Sequence, residues 1–318
     1  MSTTIDNAGT IPVSAPTPVV SVSPVVLSAP GRPVSLQVRI SAPITGRDLP
    51  ILLLSHGHGN THYLSSLIGC APLADFWAAH GFVVIQPTHL DSTTVSVEPD
   101  ASEPLFWRSR VEDMKRILDQ LDLVEASIPE LGGRLDRSRI AVAGYSLGGH
   151  TAAILLGMRL TDPNDGTVVE LADSRIKTGV LLAAPGRGDD LTASAAERFS
   201  FLRDPTFAEM TPPALVVTGD KDVNPNFTDR TDWRADAYYL SGDPKCLLTV
   251  FGAEHSLGGV SGYDAAETTD EDPERVAVIQ RVSWAYLRTA LYPGEPAWPA
   301  ARAALMDAPN PLGRVECK

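Results

Sequence analysis

Six short apolar runs, Ile51–Leu54, Phe82–Ile85, Ile140–Ala143, Gly179–Ala183, Ala214–Thr218 and Leu247–Phe251, recur along the chain between helix-patterned and loop segments. Runs this short without polar alternation predict strands buried on both faces, because a strand with one wet face would alternate. Helical patterns fall between them. Leu73–His80 is stopped by Gly81, residues 105–123 place Val111, Met114, Ile117, Leu118 and Leu121 at helical spacing, another helix leads from Leu147 towards Met158, and a last one spans Pro273–Leu291. Strands alternating with helices imply a mostly parallel sheet covered on both faces. Upstream, Pro24–Leu27 and Val34–Ile40 are β-rich and separated by Ala-Pro-Gly-Arg, which predicts a hairpin and therefore an antiparallel edge. One α/β domain over residues 24–292 follows, with a flexible arm over 1–23, poorly ordered or loosely docked, and a Pro/Ala-rich surface tail over 293–318.

Charge and cysteine usage narrow the partners. The formal net charge of −13, with no basic block, repels polyanions and excludes nucleic acid as an expected partner. No apolar stretch approaches the roughly 20 residues needed to cross a bilayer. Residues 1–30 hold no Lys or Arg and no apolar core of a leader, and Cys70, Cys246 and Cys317 are odd in number and widely spaced. Reduced thiols and a cytoplasmic location are the expectation.

The segment Gly144-Tyr145-Ser146-Leu147-Gly148-Gly149 lies between the Ile140–Ala143 strand and a helix. A G-x-S-x-G turn in that setting holds serine in a strained conformation at the head of a helix, so its neighbours must lack colliding side chains. The helix-terminal N–H groups add positive potential where an oxyanion would develop. From Leu135 to Gly149 the chain resembles the α/β-hydrolase superfamily, in particular its dienelactone-hydrolase-related branch, which includes platelet-activating-factor acetylhydrolases, chlorophyllase-like proteins and cutinase-type polyester hydrolases.

That resemblance implies an α/β-hydrolase fold and the chain order nucleophile, acid, histidine. Of the histidines after Ser146, His150 sits one turn along the same helix and points away from the turn, leaving His255 as the base. Asp220 and Asp222 compete for the acid, and the family pattern matches Asp222, with Asp220 read as a turn former. The same resemblance makes the His58 and Leu147 amides the oxyanion donors. Tyr145 is assigned to substrate contact, and so is His89, which together with Asp91 follows the Phe82–Ile85 strand and either borders substrate or braces the loop. His56, His58 and His62 suggest a zinc cluster that no carboxylate completes at helical spacing, so no metal or other cofactor is expected. Residues 186–211, rich in charge and carrying Phe199, Phe201 and Phe207, read as a partial cap, and the acidic end of the 258–272 loop as a helix cap. The implied activity is serine-dependent hydrolysis of a small-molecule carboxylic ester. Lactone or amide hydrolysis with the same residues, and a non-catalytic binding protein on the same fold, stay open.

Overall fold

The apolar runs form the middle of a nine-stranded sheet in this computed structural model, which describes residues 8–98, 100–263 and 265–318. The strands are β1 (Val19–Leu27), β2 (Leu36–Pro43), β3 (Leu49–Ser55), β4 (Val83–Pro87), β5 (Leu135–Tyr145), a separate small ribbon of β6 (Leu160–Thr161) and β7 (Val168–Val169), then β8 (Ile176–Leu182), β9 (Ala214–Gly219), β10 (Lys245–Val250) and β11 (Gly313–Cys317). The helices are α1 (Ala71–Ala79), α2 (Trp107–Asp119), α3 (Leu121–Ala126), α4 (Leu147–Leu155), α5 (Ala193–Arg198), α6 (Asp236–Leu240), α7 (Pro273–Leu291) and α8 (Ala297–Met306).

The order β1-β2-β4-β3-β5-β8-β9-β10-β11 is parallel from β4 to β10 and antiparallel at both edges. Alternate residues of each central strand serve opposite faces. Ile51, Leu53, Ile140 and Val142 pack beneath α2, α3 and α4, while Leu52, Leu54, Ala141 and Ala143 pack beneath α1, α7 and α8. This is an α/β-hydrolase-like fold. Its strand order reverses at β3, because β4 lies on one side of it and β5 on the other. In open α/β sheets, a crevice forms outside the carboxyl ends of the strands at such a reversal. Here the parallel register sets Ser55 opposite Gly144, so the turn after β3 lies beside the turn after β5.

Three expectations change. Within the 1–23 arm, residues 1–7 lie outside the described ones. The rest is docked: Ile11 is fully buried, its carbonyl accepts from Arg281 Nη1 at 2.8 Å, and β1 already begins at Val19. Residues 293–318 are not a surface tail, since α8 packs on α7 and β11 closes the sheet edge beside β10. The antiparallel register places Cys246 opposite Cys317, and the two form a disulfide, so only Cys70 is a free, buried thiol. The reduced-thiol expectation is therefore wrong, and the cytoplasmic assignment loses that support. Sequence spacing of 71 residues hid a pair that strand pairing brings face to face. Among the described residues no helix is long and apolar enough to cross a membrane.

Candidate active site

β5 delivers Ser146 into a turn with φ 52° and ψ −117°, a left-handed backbone that a non-glycine residue adopts only when its surroundings hold it there. Close packing does the holding. A Cβ on Gly144 would stand 2.0 Å from the Gly148 carbonyl oxygen, and one on Gly148 2.0 Å from the Ser55 carbonyl oxygen. The Ser146 amide donates to the Leu182 carbonyl at 2.8 Å, tying the turn to β8 as well.

Two loops meet this serine. The loop after β10 brings His255, whose Nε2 lies 3.0 Å from Ser146 Oγ, and the loop after β9 brings Asp222, whose Oδ2 lies 2.9 Å from His255 Nδ1. A carboxylate at Nδ1 requires the proton there, which leaves Nε2 to accept from the serine hydroxyl. Asp220 is engaged elsewhere, its Oδ1 accepting the Gly252 amide at 2.6 Å. Asp222 is buried, and its Oδ2 also faces Arg234 Nε at 3.2 Å. Burial alone pushes the Asp222 carboxyl up, but Arg234 and His255 outweigh it and the net displacement is downward. Burial moves His255 below the ordinary histidine value, the Arg234 charge adds to this, and Asp222 opposes it. The His255 ring is thereby neutral near pH 7.

A buried polar network underlies the 56–58 turn. His56 Nδ1–H donates to the Gly57 carbonyl at 2.6 Å and its Nε2 accepts the His89 amide at 3.1 Å, an assignment that fixes one tautomer. His89 Nδ1 lies 3.0 Å from Asp113 Oδ2 and its Nε2 accepts from Ser55 Oγ at 3.0 Å. Arg110, reaching in from α2, pairs with Asp91, donates to the His56 carbonyl and reaches Thr151 Oγ1 of α4 at 3.2 Å. Asp91 in turn accepts from His58 Nδ1 at 3.0 Å. Burial drives the pKa of both His56 and His89 well below the ordinary histidine value, with Arg110 adding to the effect. Burial also pushes the Asp113 carboxyl up to about 6 against the pull of Arg32.

Ser146, His255, His58 and Leu147 open onto a pocket of about 260 Å³ whose other walls include Leu105, Pro185, Phe199, Phe201, Phe227 and Arg234. The 186–211 segment supplies Phe199 and Phe201 to it, whereas Phe207 is buried in the core. A larger cleft of about 530 Å³ between the 258–272 loop and α7 contains none of the serine, histidine or aspartate above. Within that loop Asp272 caps α7, accepting the Glu274 and Arg275 amides.

Two residues assigned to substrate contact lie elsewhere. His89 is fully buried and spent on Ser55 and Asp113, because its loop turns inward after β4. Tyr145 is buried, with its hydroxyl donating to the His255 carbonyl at 3.1 Å and its ring 5.4 Å from the imidazole, so it braces the histidine loop. Among the described residues no three His, Cys, Asp or Glu side chains are grouped to hold a metal ion. His62 is directed to Thr93 Oγ1 at 3.2 Å and joins neither His56 nor His58. Arg234, Arg110 and Asp113 went unnoticed in the sequence. An arginine destined for burial looks like any surface arginine until the fold supplies its carboxylate.

No family model matches the chain. It is similar to a platelet-activating factor acetylhydrolase of Cavia porcellus, 25% identical over an alignment of 143 residues, with 34% of this chain and 31% of that protein covered. The chain thus spans about a third of that relative's length.

Proposed function

We propose that this chain hydrolyses carboxylic esters with short acyl groups by two-step acyl transfer. The observation that carries the reading is the unbroken hydrogen-bonded sequence Ser146, His255, Asp222 at the mouth of an apolar pocket. In the first step Ser146 Oγ attacks the ester carbonyl while His255 Nε2 takes its proton, and the imidazolium is stabilised by Asp222. The amides of His58 and Leu147 receive the oxyanion, the His58 turn being held in place from beneath by Arg110 and Asp91. The imidazolium then protonates the departing alcohol. Water, deprotonated by the same nitrogen, releases the acyl group and restores the serine.

The preference for short acyl groups rests on the pocket. Its volume of about 260 Å³ falls below the roughly 300–1,000 Å³ of sites for drug-sized ligands. Phe201 lines it and is held in place by Trp107 at 6.2 Å and His150 at 5.2 Å between ring centroids. The similarity to a protein named for acetyl hydrolysis supports the same preference. The Cys246–Cys317 disulfide favours an oxidising compartment over the cytoplasm. The test is a series of p-nitrophenyl esters from acetate to dodecanoate. We expect kcat/KM to be highest at two to four carbons and to fall roughly tenfold or more by eight, as a pocket rejects surplus methylenes. Phe201→Ala should move the optimum to longer chains. No hydrolysis of any ester, or an optimum at dodecanoate in the unmodified protein, would overturn the proposal.

A further inference from the structure

Arg234 has no part in the acyl transfer just described, yet it stands in the same pocket. It lies on the short helical turn Trp233–Ala235 ahead of α6, with its residue surface only 7% exposed. A guanidinium that is always charged is costly to bury unless a carboxylate meets it. Its partner is Asp222, through the oxygen that also receives His255: Arg234 Nε and His255 Nδ1 lie 3.2 and 2.9 Å from the same Oδ2. The arginine cannot wander. Its guanidinium lies 4.8 Å from the Trp233 ring centroid, and Trp233 is buried with its indole N–H donating to the Arg187 carbonyl at 2.8 Å.

We propose that Arg234 is a positioning residue, which shares Asp222 Oδ2 with His255 and so keeps the carboxylate aimed at Nδ1 and the imidazole neutral before each turnover. The proposal rests on the acyl-transfer reading above. A carboxylate held by one histidine alone can rotate off Nδ1. With a fixed cation on the same oxygen, that movement is opposed. The second consequence falls on the base, because Arg234 places positive charge near the ring and disfavours the imidazolium. The other groups facing His255 are Asp270 from the loop that follows it, Tyr145 from the end of β5, and His58 across the pocket. Of these, Asp270 favours the protonated ring and therefore works against Arg234.

The experiment follows His255 directly, using the full chain labelled with ¹⁵N-histidine and His255→Asn to assign its resonances. Imidazole titrations are compared for the unmodified protein, Arg234→Met and Arg234→Lys, alongside kcat/KM against pH for p-nitrophenyl acetate. We expect His255 to titrate at higher pH in Arg234→Met, the acid limb of kcat/KM to move with it, and kcat to fall roughly 10- to 100-fold, the weight of one charge-assisted hydrogen bond. Arg234→Lys should bring the titration most of the way back and recover part of kcat. An unmoved titration with a lower kcat would overturn the proposal. So would a rise in KM confined to carboxylate-bearing esters, which would make Arg234 a substrate-binding residue. If Arg234→Met does not fold, Arg234→Gln is titrated in its place. In the unmodified protein, a His255 that titrates at or above an exposed histidine would also overturn it. The titration needs no turnover, so a protein that hydrolyses no ester would still answer the question about Arg234.

Discussion

Replacing Asp222 by Asn separates the two aspartates of the β9 loop and exposes how the site uses charge. In a serine–histidine–aspartate site where the amide reverses the imidazole tautomer, the loss in kcat is on the order of 10⁴. Here one carboxylate oxygen faces both His255 Nδ1 and Arg234 Nε, at 2.9 and 3.2 Å. An asparagine oxygen placed there could accept from both donors and keep the productive tautomer. What would be lost regardless is the negative charge, both its stabilisation of the imidazolium and its neutralisation of Arg234. A hydrogen bond to a charged group contributes about 1.5–3 kcal/mol, which bounds the loss from below at roughly 10-fold. The expected fall in kcat for Asp222→Asn therefore lies between roughly 10-fold and 10⁴-fold. Asp220→Asn should retain most turnover, because the amide oxygen can still accept the Gly252 N–H now bonded at 2.6 Å. The assay is steady-state hydrolysis of p-nitrophenyl acetate, with folding checked by thermal melting. Near-normal rates in Asp222→Asn, or a larger loss in Asp220→Asn, would refute the reasoning.

Cys317→Ser should lower thermal stability without changing the rate at 25 °C. Opening a cross-link between residues 71 apart frees chain entropy equivalent to about 4 kcal/mol, a drop of roughly 6 °C in Tm for a chain this long; an unchanged Tm would show that β11 needs no tether. Stability should also fall between pH 6.5 and 5. His56, His89 and His150 are buried with pKa values pushed down by burial, His150 to about 3 with neither ring nitrogen partnered. Each protonates in the unfolded chain before it does in the fold, so stability present above the unfolded value is lost as pH falls, by up to about 1.4 kcal/mol per unit per group. Asp113, raised to about 6, has the opposite sign and offsets one of them. Denaturant melts at both pH values measure the slope, and His150→Leu should flatten it; a slope unaffected by that change would contradict the burial argument.

How much could be read beforehand depended on whether the signal was local. The turn around Ser146 was legible because its glycines are demanded by contacts within a few residues and with the preceding parallel strand. The apolar runs announced the parallel strands because a strand buried on both faces has little room for polar side chains. Gly313–Cys317 announced nothing, since an edge strand that buries Gly313 and Val315 carries charge on its open face at Arg314 and Glu316 and follows a Pro/Ala-rich stretch. Its disulfide was hidden with it. His89 had the residue type of a site and the position of a site loop, and only the inward turn towards Ser55 and Asp113 distinguishes it from a residue that touches substrate. Arg110 and Arg234 share this problem, for their carboxylates, Asp91 and Asp222, come from the loops after β4 and β9, outside the helical segments that carry the arginines.

The most direct test of the account is covalent labelling with a fluorophosphonate, which reports an activated serine without assuming a substrate. The purified chain is treated with the probe, digested, and the modified peptide identified by mass spectrometry, alongside Ser146→Ala and His255→Ala. The expected result is one adduct per chain on Ser146, none in Ser146→Ala, and labelling slowed by orders of magnitude in His255→Ala, because the attacking oxygen then lacks its proton acceptor. An unmodified Ser146, or ester hydrolysis that persists at full rate in Ser146→Ala, would contradict it.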